Sequence, residues 1–109
     1  MENCIFCKIR DGEIPKEFDY NDESVMVFAD INPIKPIHIL VVPKEHIADF
    51  SALSDNTMAK LKEILVKMAK EKGLFGKGYR VVFNGGGAQV IDHLHFHLIG
   101  PLGKKVSME

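Results

Sequence analysis

The residues Asp92-His93-Leu94-His95-Phe96-His97-Leu98-Ile99 decide how this chain is read. Successive residues of a strand face opposite ways. As a strand, the segment puts His93, His95 and His97 on one face, about 6.5–7 Å apart. It sends Leu94, Phe96 and Leu98 to the other face, into a core. The chain has 5 histidines, so three in strict alternation with apolar residues make a surface rather than a scatter. With an unperturbed pKa of about 6.5, such imidazoles are largely neutral near pH 7. Each then offers one nitrogen lone pair, as nucleophile or ligand, and one N–H donor.

The flanking segments supply a sheet for that strand. Residues 38–42 form a β-branched run closed by Pro43, central in character, and residues 79–83 form another strand. Residues 17–20 and 24–29 make two more, parted by the break Asn21-Asp22-Glu23. Asp30-Ile31-Asn32-Pro33-Ile34-Lys35-Pro36 is loop, because its prolines deny it both helix and central strand. Residues 55–72 are the one clear helix. Ser54 is its N-cap. Met58, Leu61, Ile64, Leu65 and Met68 recur at three- and four-residue spacing, and Gly73 ends it. Residues 4–10 read as a short helix or turn, and residues 84–88 as a Gly-rich turn. The expected class is α+β, an antiparallel sheet of about five strands with the long helix on one face.

Composition narrows the function. The 109 residues, 46% apolar, fit one domain over 1–109 with a core that needs no staples. The balance of 14 basic against 15 acidic residues argues against disorder and against a nucleic-acid coat. The longest apolar run, Ile39-Leu40-Val41-Val42, is far short of the roughly 20 residues of a membrane span. The first residues lack the basic n-region of a secretory signal. Cys4 and Cys7 form Cys-x-x-Cys, which staples nothing as a disulfide. A redox motif of this kind follows a strand in a βαβ unit, which is missing here. As half of a zinc site the pair needs two further ligands. A cytoplasmic location is expected.

The segment His93-Leu94-His95-Phe96-His97-Leu98-Ile99 resembles the signature of the histidine triad (HIT) superfamily, and most closely its nucleotide-binding Hint branch. The resemblance covers nearly the whole chain. Ile5-Phe6-Cys7-Lys8-Ile9, Phe28-Ala29-Asp30-Ile31-Asn32-Pro33 and the stretch from Pro36 to Ile47 fall in family order, as do Asn84 and Gln89. It implies a HIT-like fold and hydrolysis or transfer at the α-phosphate of purine nucleotide conjugates, adenosine phosphoramidates among them. By position His95 is the nucleophile that forms a covalent nucleotidyl-histidine, with His97 a donor beside the phosphate and His38 completing the catalytic cluster. Asp30 falls where a carboxylate takes the ribose hydroxyls. Phe6, Ile9 and Ile31 fall on the base-pocket walls, though each reads equally well as core. Asn84, Ala88, Gln89 and Val90 fall at nucleotide-contacting positions. Gly85-Gly86-Gly87 can bring backbone amides close to an anion, although hairpin turns also collect glycine.

The resemblance also implies a structural zinc held by Cys4, Cys7, His46 and His93. It implies a homodimer whose two sheets join, and the helical stripe reads as wider than one small sheet face needs. The sequence departs from the family pattern at Val90, where a Ser is common, at Ala88, where Gly is, and at Asp92. Other readings stay open: a diadenosine polyphosphate hydrolase of the same fold, a zinc-stabilised nucleotide-binding interaction module, and a cupin-type metalloenzyme. The last lacks the Glu that its site needs, since Gly100-Pro101-Leu102-Gly103 follows the triad.

Overall fold

The computed structural model describes residues 3–103. Five strands form one antiparallel sheet in the order β1-β2-β3-β5-β4. They are β1 Tyr20–Asn21, β2 Val25–Ala29, β3 Ile37–Pro43, β4 Arg80–Val82 and β5 Phe96–Gly100. Helix α1 is Ile5–Arg10, helix α2 is Asp55–Glu71, and one 3-10 turn covers Phe50–Ala52. β1, β2 and β3 run as a meander. α2 then carries the chain to the far edge, where β4 lies, and β5 returns to fill the gap between β3 and β4. Among the described residues, no helix is long and apolar enough to cross a membrane.

The two-residue period sorts the sheet into two cores. Val25, Val27, Ile39, Val41, Phe96 and Leu98 face α2, where they meet Leu61, Ile64, Leu65, Met68 and Ala69. Met26, Phe28, Leu40 and Val42 face the other way and meet Phe6, Cys7 and Ile9 of α1. The apolar stripe of α2 is therefore consumed by the chain's own sheet, with Met58 packed at its rim. The expectation that the stripe exceeds one sheet face is corrected, and it gives no support for a second copy.

Local chemistry fixes the helix ends. Ser54 Oγ accepts the Thr57 amide at 3.2 Å and so satisfies one orphan donor of the first turn. At the other end Gly73 takes φ +73°. The Leu74 amide bonds the Ala69 carbonyl at 2.9 Å and the Gly73 amide bonds Lys70 at 3.1 Å, a Schellman closure. Leu74 beyond it is buried.

β3 is one residue longer at each end than the sequence reading, β1 is shifted from 17–20 to Tyr20–Asn21, and β2, β4 and β5 are trimmed, most tellingly β5. It begins at Phe96, not at His93. The ladder with β3 runs from Ile37↔Gly100 to Val41↔Phe96 and goes no further. Pro43 has no N–H to extend it, and its carbonyl takes the His93 ring at 2.7 Å instead of a backbone amide. The Leu94 amide meanwhile turns to Ile47 O at 2.6 Å. His93 thus lies in a bend and His95 on irregular chain just before the strand, and only His97 lies within it.

Candidate functional site

On the α1 side of the sheet a cavity of about 520 Å³ opens between α1, the loop after β2 and the chain entering β5. Phe6, Ile9, Asp30, Ile31, Asn84, Val90, His95 and His97 all line it. His38 stands behind His97. Ala88 and Gln89 do not reach the cavity: Gln89 donates to Ala48 O at 3.1 Å and accepts the Gly87 amide at 2.9 Å. The sequence reading missed Lys16, Phe28 and Leu40 as wall residues. Phe28 and Leu40 read as sheet core, and only the register Phe28↔Leu40 puts both on the cavity face.

Donor and acceptor logic fixes the imidazoles. The Ile34 amide donates to His38 Nδ1 at 3.2 Å, so that nitrogen holds a lone pair. The proton of neutral His38 therefore sits on Nε2, 2.9 Å from His97 Nδ1 and 3.3 Å from Asp30 Oδ2. His97 Nδ1 accepts, which leaves the His97 proton on Nε2. His95 Nδ1 lies 2.9 Å from the His93 carbonyl, an acceptor only. It must donate there, so His95 Nε2 carries a free lone pair. Burial pushes His97 below its ordinary pKa, and the neighbouring His95 and His38 add to this while Asp30 opposes it. The site thus sets the Nε2 side of His95 beside the His97 ring, the two ring centroids 5.1 Å apart.

Asp30 is double-facing. Its Oδ1 caps the turn through the Asn32 amide at 2.8 Å, and its Oδ2 lies 3.3 Å from His38 and 3.7 Å from His97. Asp30, His38 and His97 have the residue types of a metal triad. The Ile34 amide on His38 Nδ1 keeps Nε2 protonated, however, so this cluster is a hydrogen-bonded relay and not a cage.

A second cluster has a different character. Cys4 and Cys7 Sγ and the Nδ1 atoms of His46 and His93 lie within 4.8 Å of one another. His46 Nδ1 is 3.2 Å from His93 Nδ1, Cys4 Sγ is 3.3 Å from His93, and Cys7 Sγ is 3.3 Å from His46 and 3.6 Å from His93. A tetrahedral ion with the usual zinc bond lengths requires edges of roughly 3.3 Å between nitrogens and 3.6 Å between nitrogen and sulfur. The donors fit that figure. His93 Nε2 donates to Pro43 O, which fixes the tautomer with Nδ1 bare, as a metal ligand needs. Burial above all pulls the His93 pKa down to about 4, so the ring is neutral at pH 7. The cluster can hold a metal ion. The triad is therefore divided: His93 joins the cysteines, His97 joins Asp30 and His38, and His95 belongs to neither set. Among the described residues no cluster uses all three, which removes the cupin-type reading.

The Gly-rich turn also corrects an expectation. The amides of Gly86, Gly87 and Ala88 are not left for an anion. Gly86 N–H goes to Asp49 Oδ1 at 2.7 Å, Gly87 N–H to Gln89, and Ala88 N–H to Gly85 O. The sequence reading missed Asp49, which also caps the 3-10 turn through the Ser51 amide. Hydrogen bonds from the Ser51 hydroxyl, the Gly86 and Ser51 amides and Gln89 hold its pKa at about 2.

A family model described as the HIT domain matches residues 11–103. A purine nucleoside phosphoramidase of Escherichia coli (strain K12) is 37% identical over 109 aligned residues, covering 94% of this chain and 92% of that protein. The structure of a histidine triad protein from Clostridium difficile superposes with a TM-score of 0.86 at 42% identity, covering 100% of this chain and 97% of that one. A HIT family hydrolase from Legionella pneumophila Philadelphia 1 gives a TM-score of 0.84, also at 42% identity, over 90% of this chain and 92% of that one. Cys4 and Cys7 precede the matched stretch.

Proposed function

Because the chain belongs to the HIT domain family, we propose that it hydrolyses purine nucleotide conjugates, nucleoside phosphoramidates first among them, through a covalent nucleotidyl-His95. The observation that carries this is the bare Nε2 of His95, lining a cavity beside the His97 N–H and the Asp30 carboxylate. In the first step a bond forms from His95 Nε2 to the α-phosphorus as the bond to the leaving nitrogen breaks. A leaving nitrogen that enters protonated departs as the neutral amine. The His97 N–H donates to the phosphoryl oxygens, and the His38 relay keeps that proton on the side facing the phosphate. Water then opens the phosphorus–His95 bond and releases the nucleoside monophosphate. Splitting the substitution in two lowers each barrier. Asp30 holds the ribose hydroxyls, and Phe6, Ile9, Phe28 and Ile31 enclose the base.

Zinc is the metal we assign to Cys4, Cys7, His46 and His93, since two thiolates and two imidazoles are its preferred closed set. It would tie α1 to the chain entering β5. The chemistry at phosphorus belongs to His95 and needs no metal. We also assign a homodimer paired along edge strand β4, where Tyr79, Val81 and Phe83 are exposed. Light scattering at micromolar concentration then gives twice the chain mass.

The test of the reaction is His95→Ala. The variant is expected to keep nucleotide binding and to fall below about 1% of wild-type turnover of adenosine 5′-phosphoramidate, the loss of a covalent nucleophile costing several kcal/mol. Rapid quenching of the wild type with labelled substrate traps a nucleotidyl-protein. Turnover above that level in the variant refutes the assignment.

A further inference from the structure

Lys16 follows the Ile14-Pro15 turn beyond α1, and its side chain reaches back into the cavity wall. Its Nζ lies 5.4 Å from the centroid of the Phe28 ring. Phe28 is itself packed against Phe6, the ring centroids 5.9 Å apart. The cation is thus fixed at the aromatic end of the cavity. No carboxylate among the described residues forms an ion pair with it. Asp30, the one carboxylate in the same lining, is occupied by the Asn32 amide and by His38.

We infer that Lys16 selects the base, favouring 6-oxopurines over adenine. The inference rests on the nucleotide reading above. With phosphorus at His95 and the ribose at Asp30, the base lies among Phe6, Ile9, Phe28 and Ile31. The edge of a purine farthest from its sugar is the one that carries the 6-substituent, and that edge meets the ammonium. A lysine ammonium has three donors and no acceptor. Guanine and hypoxanthine present O6 and N7 to it, the pairing that Lys and Arg make most often with guanine. Adenine presents an amino group, donor against donor, and offers only N7 on that side. The apolar wall strengthens the contrast, because a donor left unpaired in a partly dry pocket loses its water without a replacement.

Calorimetric titration with GMP, IMP and AMP tests this without requiring turnover. The wild type is expected to bind GMP and IMP about tenfold more tightly than AMP, the lower end of what one well-placed base contact confers. Lys16→Met keeps an unbranched side chain over Phe28 and brings the three within about twofold. Lys16→Arg retains the order. Equal affinities in the wild type overturn the inference and leave the hydrolase reading standing. So does a GMP preference that IMP does not share, since recognition would then lie at the 2-amino group. A failure of all three nucleotides to bind overturns both.

Discussion

Chelation is the perturbation that reports most directly on the Cys4–Cys7–His46–His93 cluster. The ligands are far apart in the chain: Cys4 and His93 are separated by 89 positions. An ion joining them closes a loop of that size. By the chain-entropy relation for cross-links, such a link is worth roughly 4.5 kcal/mol through the unfolded state. Mass action gives a matching figure, about 4 kcal/mol at free metal a thousandfold above Kd. At about 4–8 °C per kcal/mol for a domain near this size, stripping the metal should lower Tm by roughly 15–30 °C. The assay is calorimetry on protein purified with zinc, before and after a strong chelator, with metal content measured on the same samples. Cys4→Ser should reproduce the chelated Tm and bind less than one equivalent. At 25 °C the chelated protein should still turn over phosphoramidate, because His95 lies outside the cluster. A Tm that stays within a degree or two in chelator, or a Cys4→Ser protein with a full equivalent of zinc, refutes the reasoning.

Three other outcomes are expected. His38→Ala removes the donor that orients His97 and leaves the Ile34 amide unpaired; kcat should fall about 10–100-fold, the scale for losing such an outer partner, with KM little changed in steady-state assays. Gly78→Ala should destabilise by more than about 2 kcal/mol in urea titrations, because at φ +82° the added Cβ would sit 1.9 Å from the Gly103 carbonyl oxygen. Burial raises the Asp22 pKa, but hydrogen bonds from the Tyr20 hydroxyl, the Ser24 and Val25 amides and Lys60 outweigh this and hold it well below the carboxylate range. Its stabilisation is therefore complete above about pH 4 and is lost as pH falls further; Asp22→Asn should cost about 2 kcal/mol at pH 7 and flatten the acid limb of the stability curve.

Much of the site was legible because its chemistry is written in residue type and spacing. The alternation of His93, His95 and His97 with Leu94 and Phe96 survives although the ladder reaches only Phe96, since Leu94 and Phe96 are both held in the core facing α2. Cys4, Cys7, His46 and His93, which the family resemblance put together, do lie close enough to hold one metal ion. What escaped was decided by backbone groups and register. No sequence pattern says that the Ile34 amide meets His38 Nδ1, yet that contact sets the proton on His97. Asp49 looked like a loop residue until the fold brought the Gly86 amide to it. Lys16 lay beyond a turn, and only the fold brings its ammonium over the Phe28 ring.

The place of β5 has a consequence for how the protein comes into being. Among the described residues this strand is the last, and it lies inside the sheet, between β3 and β4. During synthesis, β1, β2 and β3 can pair as they appear, but the inner edge of β3 stays open and β4 has no neighbour. Cys4, Cys7 and His46 all precede His93 in the chain, and His95 follows it two residues later. A chain that stops before Phe96 therefore has an open sheet, with one edge of β3 along Ile39 and Val41 unpaired, a surface prone to aggregation and to clearance by proteases. It also lacks His97. The same five residues that close the sheet bring His97 to the cavity, so a chain cut short of them completes neither its core nor that cavity wall.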